Sequence, residues 1–179
     1  MILADVMQRM SCGGASVTFA PSVQDWGMGF ERYLTSRDTK IPNDLVERAR
    51  HLYVQLSASQ RSVRLLHGDL HHCNVLFDSD RGWVAIDPKG VVGENEFEVG
   101  ASLRNPVERP ELFASRKTVE RRLSLYGARL LLDVDRAVSW CFAQAVLSAI
   151  WSVEDGAVVH ATHPAIRLAN EVLPLIAES

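Results

Sequence analysis

Asp69, Asn74 and Asp87 are the residues whose types and spacing could do chemistry. They lie in Leu66–Gly90 (LHGDLHHCNVLFDSDRGWVAIDPKG), with Asp69 and Asn74 five positions apart and Asp87 thirteen beyond. Phosphoryl transfer to a hydroxyl asks for positioning and charge neutralisation more than for covalent chemistry. In that chemistry Asp69 would accept or orient the proton of a substrate hydroxyl. Asn74 would offer Mg²⁺ a neutral carbonyl oxygen and Asp87 an anionic one. Mg²⁺ prefers oxygen ligands, usually takes one or two carboxylates, and completes its shell with phosphate and water. The competing structural reading is that Asp69 and Asn74 cap a turn and Asp87 ends a strand, as such residues often do. HGD in front, apolar runs on both sides of a hairpin, and IDP at the right distance favour the site.

These residues need elements to position them. Val75–Phe77 and Trp83–Ile86 read as two strands joined by Asp78–Gly82, a five-residue hairpin loop containing Gly. The hairpin carries the chain away from Asn74 and returns Asp87 beside it. Upstream, Ile2, Leu3, Val6, Met7 and Met10 form the stripe of an amphipathic helix. It starts at Met1 without a capping residue, as in a chain that begins part-way through a larger fold, and Ser11–Gly14 is expected to end it. Ser22, with Asp25 three residues on, marks a second helix start, with Val23, Trp26, Phe30, Tyr33 and Leu34 inward and Gly27 and Gly29 weakening it. Pro42-Asn43 starts a third, with Leu45, Val46, Ala49, Leu52, Tyr53 and Leu56 inward and Ser57–Ser62 closing it. Val63–Leu66 is a short apolar run. Pro88–Pro110, rich in Gly, Pro, Asn and Glu, reads as a structured loop with little regular structure. Beyond it Thr118 is expected to cap a helix, Asp133 or Asp135 to open a long apolar helix ended by Gly156, and Pro164 to sit in the first turn of a last helix ending near Pro174.

Composition sets the class. A chain of 179 residues fits one domain spanning 1–179. A net charge of −3 gives no electrostatic footprint for nucleic acid. Cys12, Cys73 and Cys141 are odd in number and form no CxxC pair, which suits reduced, cytoplasmic thiols. No secretory signal pattern is visible, and the longest uncharged run, 137–153, has 17 residues with four polar ones among them. A spanning helix needs about 20, so a buried core helix, with Trp140 and Trp151 as core residues, and no membrane partner are expected.

HGDLHHCN followed by AIDPKG resembles the aminoglycoside phosphotransferase superfamily, whose usual pattern is HGD-x4-N and then a strand ending in Asp. AIDPKGVVGENEFEVGASLRNP, and later QAVLSAIWSVEDG (Gln144–Gly156), are similar to the streptomycin 6-phosphotransferase and hydroxyurea phosphotransferase group. The resemblance implies an ATP- and Mg²⁺-dependent kinase acting on a hydroxylated, cationic small molecule, with Asp69 catalytic and Asn74 and Asp87 holding metal. It also places Glu98 at an acidic position that supports the catalytic loop. The implied fold is mainly α with a small β-hairpin: the C-terminal, catalytic lobe of a protein-kinase-like fold, with the β-rich N-terminal lobe absent. Two departures stand out. Cys73 replaces a common Gly, and upstream of Asp69 the lysine present is Lys40, in no strand pattern, with no glycine-rich phosphate loop.

Other polar residues carry weaker readings. Lys89 could reach a phosphate or substrate, and Glu94, Glu96, Glu154 and Asp155 could line a pocket for a cationic sugar; solvated surface charge is the alternative for each. His67, His71, His72 and Cys73 form an H-x3-H-H-C cluster, but structural zinc needs four ligands, commonly as spaced pairs, and His160 and His163 lack partner spacing. His67 is expected instead to brace the catalytic loop. A non-catalytic kinase-like remnant and a His/Asp metallohydrolase remain as alternatives. A missing lobe would leave an apolar face open around Asp69, Asn74 and the first helix, available for self-association or a partner chain.

Overall fold

The computed structural model describes residues 2–10 and 20–176. Its helices are α1 (Ile2–Met10), α2 (Val23–Ser36), α3 (Asn43–Ala58), α4 (Asn95–Leu103), α5 (Arg116–Leu130), α6 (Val134–Glu154) and α7 (Pro164–Val172). Its strands are β1 (Val63–Leu66), β2 (Val75–Asp78), β3 (Gly82–Ala85) and β4 (Val91–Glu94). The molecule is therefore mainly helical with two small antiparallel sheets, β1–β4 and β2–β3.

Helix α6 organises the packing. Its residues from Ala137 to Ile150 are buried on nearly every side, the pattern of a central helix. Among the described residues it is the one helix long and apolar enough to cross a membrane, and here it lies inside the core, against α2, α3, α4, α5 and α7. Buried side chains from all seven helices join one hydrophobic cluster. At its centre Tyr53 and Phe97 meet the Trp140 ring edge-to-face, each with a centroid distance of 5.0 Å, a geometry that favours aromatic pairs beyond their buried area.

The start of α2 is a complete capping box. The Asp25 backbone N–H donates to Ser22 Oγ at 3.2 Å, and the Ser22 backbone N–H donates to the Asp25 carboxylate at 2.7 Å. Gly27 and Gly29, which cost helix propensity, sit where α2 touches its neighbours. A Cβ on Gly27 would lie 2.7 Å from the Tyr53 ring, and one on Gly29 2.8 Å from Leu147. Missing side chains let α2 approach α3 and α6 closely.

Several expectations need correction. Pro88–Pro110 is not mostly irregular: it holds β4 and α4. Strand β4 is set by pairing with β1, Val63 opposite Glu94 and Leu66 opposite Val91. Helix α4 is buried over Phe97–Leu103, including Glu98, Gly100 and Ser102, so it shows no polar face from which a helical period could be read. The hairpin β2–β3 is therefore one of two strand pairs. Ser115, not Thr118, caps α5: its Oγ accepts the Thr118 N–H at 3.4 Å and donates to Thr118 Oγ1 at 2.9 Å. Asp133 is the cap of α6, Gly156 follows its end with φ +82°, and α7 closes at Val172 before a 3₁₀ turn through Pro174. The expected stop at Ser11–Gly14 lies outside the described residues, as does Cys12.

Candidate active site

The loop from His67 to Asn74 joins the end of β1 to the start of β2, and Ile86–Gly90 joins the end of β3 to the start of β4. Both connections therefore emerge at one end of the two sheets. Three backbone bonds lock them together: Ile86 N–H to Asn74 O at 3.0 Å, and Lys89 and Gly90 N–H to His67 O at 3.0 and 3.1 Å. Asn74 and Asp87, thirteen residues apart in sequence, are brought to neighbouring backbone by these bonds. Asp87 takes the left-handed conformation, φ +55°.

His67 is buried, and its side chain spans both connections. Its Nε2 lies 2.9 Å from Ile86 O, while its Nδ1 accepts the Asp69 N–H at 3.3 Å. Glu98, reaching in from α4, accepts the backbone N–H of His67 at 2.7 Å and of Gly68 at 3.2 Å. Burial pushes the Glu98 carboxyl up to about 7, opposed by the backbone N–H groups of His67, Gly68 and Leu70. Gly68 has φ +81° and lies against Trp26, where a Cβ would fall 2.8 Å from the indole. A larger residue there meets both backbone strain and a clash.

Asp69 is fixed by its backbone, and its carboxylate faces a guanidinium and an imidazole. Its carbonyl accepts the Asn74 Nδ2–H at 2.8 Å. Oδ1 lies 3.6 Å from Arg104 Nη2, and Oδ2 lies 3.8 Å from His71 Nε2. Burial lowers the His71 pKa. Arg104, at the C-terminal end of α4, was not singled out from sequence, although it stands in the ASLRNP run. Its side chain is largely buried, and Nη1 donates to Gln144 Oε1 at 3.0 Å while Gln144 Nε2 donates to Phe97 O at 2.7 Å. Burial lowers the Arg104 pKa, and the Asp69 carboxylate opposes that shift.

The remaining acidic candidates lie elsewhere. Glu94 is 1% exposed. Its carboxylate accepts Arg136 Nε and Trp140 Nε1, both at 2.5 Å, and the Arg61 N–H at 3.2 Å. It pairs with Val63 at the far end of β1, about 10 Å along the strand from the His67–Asn74 loop at 3.3 Å per residue. Glu96 accepts the Asp133 N–H at 3.2 Å, anchoring the start of α6. Glu154 takes Arg32 in a two-point contact at 2.8 and 3.1 Å. Asp155 is exposed at the C-terminal end of α6. One turn before Glu154, Trp151 stacks edge-on against Trp26, centroids 5.5 Å apart, so this acidic end is linked to the Gly68 turn through two indoles. Lys89 Nζ lies 3.0 Å from Asp87 Oδ2.

The clamped loop thus presents the Asp69 carboxylate, with Asn74 and Asp87 on neighbouring backbone. The chain belongs to the aminoglycoside/hydroxyurea antibiotic resistance kinase family, which it matches over residues 2–156. It is 37% identical over 161 residues to a streptomycin 3''-kinase of Klebsiella pneumoniae, covering 83% of this chain and 58% of that protein. It is 39% identical over 94 residues to a streptomycin 6-kinase of Streptomyces griseus, covering 52% of this chain and 31% of that protein. A hydroxyurea phosphotransferase of Kitasatospora aureofaciens is 38% identical over 101 residues, covering 56% and 28% respectively. The chain thus spans little more than half the length of the first of these relatives and about a third of the others.

Proposed function

We propose that this chain carries the catalytic lobe of an ATP- and Mg²⁺-dependent phosphotransferase acting on a hydroxyl of a small, cationic molecule of the streptomycin type. The observation that carries the reading is the arrangement of Asp69, Asn74 and Asp87 around two connections locked by backbone bonds and gripped by His67 and Glu98. In the transfer, the substrate hydroxyl oxygen bonds to the γ-phosphorus, the bond to the bridging oxygen of ADP breaks, and Asp69 takes the hydroxyl proton. Arg104 and His71 hold the Asp69 carboxylate from either side. The relatives are named for two different positions of streptomycin and for hydroxyurea, so the shared feature is a hydroxyl acceptor.

The donor set suits Mg²⁺. The Asn74 amide nitrogen is engaged by the Asp69 carbonyl, which turns its planar amide so that Oδ1 is the end left for a cation. Asp87 adds an exposed carboxylate. Both are oxygen donors, as this ion requires. When bound, Mg²⁺ neutralises charge on the transferring phosphates. Lys89, beside Asp87, is placed to contact either a phosphate or the substrate.

The test is ATP-dependent phosphorylation of streptomycin, followed by mass spectrometry. Asp69→Asn is expected to lower turnover by about 10²–10⁴-fold; full turnover in that variant would remove the role assigned to Asp69. A second reading, a kinase-like domain that folds without holding nucleotide, is favoured by the placement of Lys40. That lysine bonds Asp38 at 2.6 Å between α2 and α3, in no strand. Calorimetry with Mg-ATP on this 179-residue chain separates the two: saturable heat supports a nucleotide site in this chain, and its absence supports the second reading.

A further inference from the structure

The loop between Asp69 and Asn74 carries a second cluster of ligands, of which His72 and Cys73 have no part in the phosphoryl transfer described above. The metal-binding atoms of His71, His72 and Cys73 lie within 4.8 Å of one another. His67, counted with them in the sequence motif, is instead committed to Ile86 and Asp69. Cys73 Sγ is already 3.2 Å from His72 Nε2, and both residues are exposed. The His71 ring is oriented: Nδ1 faces Cys73, whose backbone N–H it accepts at 3.3 Å, while Nε2 faces Asp69 Oδ2 at 3.8 Å and Asn74 Nδ2 at 3.4 Å. A 3₁₀ turn over His72–Asn74 gathers the three consecutive side chains. The sequence reading set zinc aside for want of four spaced ligands; in the fold three ligand atoms converge without a distant fourth.

We propose that His71 Nδ1, His72 Nε2 and Cys73 Sγ form a binding site for Zn²⁺, with the fourth coordination position left to water or an added ligand. Zinc accepts three protein ligands and an open position at N and S distances of about 2.0–2.1 and 2.3 Å. Ligand atoms in such a tetrahedron stand roughly 3.3–3.6 Å apart, so the rings and thiol need to close by about 1 Å at most. A thiolate and two imidazoles select a borderline-soft ion over Mg²⁺, whereas Asn74 and Asp87 offer oxygen alone. Binding releases the Cys73 thiol proton to solvent as the Zn–S bond forms, and the His71 Nδ1 lone pair exchanges the Cys73 N–H, now at 3.3 Å, for the metal. His71 then directs its Nε2–H toward the Asp69 carboxylate, the carboxylate–histidine–metal arrangement that orients zinc-bound imidazoles. The inference does not rest on the phosphotransferase reading. If both hold, zinc occupancy places a dication one imidazole away from the catalytic carboxylate.

The test uses the full chain without nucleotide. Zinc titration with a competing chromophore gives stoichiometry and affinity, Co²⁺ substitution reports thiolate ligation by its charge-transfer band, and iodoacetamide labelling read by mass spectrometry gives the reaction rate of Cys73. One zinc per chain is expected, with slowed alkylation of Cys73 and no competition from excess Mg²⁺. Cys73→Ser and His72→Ala, both at exposed positions, should each weaken binding by at least about tenfold, and Cys73→Ser should abolish the cobalt–thiolate band. Cys12→Ser should change none of these. Absence of saturable binding, affinity unchanged in both loop variants, loss of binding in Cys12→Ser, or displacement by Mg²⁺ would each overturn the proposal.

Discussion

Glu98 shows most directly how single residues hold this site. A carboxylate offers acceptors only, and the backbone N–H groups of His67 and Gly68 point at it. Glu98→Gln places an amide NH₂ where a donor has no partner, leaving at least one buried N–H unpaired. A loss of about 1–3 kcal/mol is expected, measured as a lower urea midpoint. The same residue sets a pH dependence. Its carboxyl titrates near 4.5 when unfolded and about 7 when folded, so between those values the native state binds the extra proton. Stability is therefore fully present below about pH 4.5 and declines as pH rises through 7. Melting temperatures across that range should show the decline, and Glu98→Gln should flatten it. An unchanged slope in the variant would assign the dependence to another group.

At the scale of elements, helix ends and strand pairs do the positioning. The Ser115 hydroxyl begins α5, whose residue Arg122 donates to the Ser102 and Asn105 carbonyls at 3.0 and 3.2 Å, next to Arg104. Ser115→Ala should lower stability by about 1 kcal/mol through loss of the cap. Thr118→Ala, which keeps the Ser115 acceptor, should cost less. Equal effects in chemical denaturation would show that the cap is shared. The His67–Asn74 and Ile86–Gly90 connections in turn depend on β1–β4 and β2–β3, each four residues long per strand. Isolated pairs of that size are marginal in water, so the helices packed behind them must contribute their stability. The β2–β3 hairpin also leaves large apolar side chains in solvent, with Phe77 66% and Leu76 51% exposed.

Across the whole molecule, a buried ion pair joins the β1–β4 sheet to the helical core. Glu94 on β4 holds Arg136 and Trp140 of α6, and Arg136 Nη2 reaches the Leu56 carbonyl of α3 at 2.7 Å. Glu94→Gln leaves the guanidinium of Arg136, with 10% side-chain exposure, without its counter-charge. Breaking one partner of such a pair costs about 3–5 kcal/mol. The expected result is a large drop in the guanidinium midpoint with a single cooperative transition. A change under about 1 kcal/mol, the range of surface pairs, would mean that water reaches the pair.

Sequence by itself determined what depends on neighbouring residues. The Ser22–Asp25 capping box, the stripe of α3, the existence of the β2–β3 hairpin and the D-x4-N spacing were all legible, because each rests on contacts within a turn or two of chain. The expected five-residue loop Asp78–Gly82 is shorter, since Asp78 and Gly82 pair across it and leave 79–81 as the turn. The tertiary structure decided what depends on distant partners. Strand β4 exists because β1, some 30 residues earlier, supplies its hydrogen bonds. Helix α4 is buried on nearly all sides, so no amphipathic period announced it. Gly27 and Gly29 read as helix weakeners until Tyr53 and Leu147 were placed against them. Glu94 looked like a pocket carboxylate until Arg136 and Trp140, more than 40 positions away, were found around it. Arg104 faces Asp69, and His71, His72 and Cys73 converge, because folding turns side chains toward one another; spacing along a chain specifies separation but not direction.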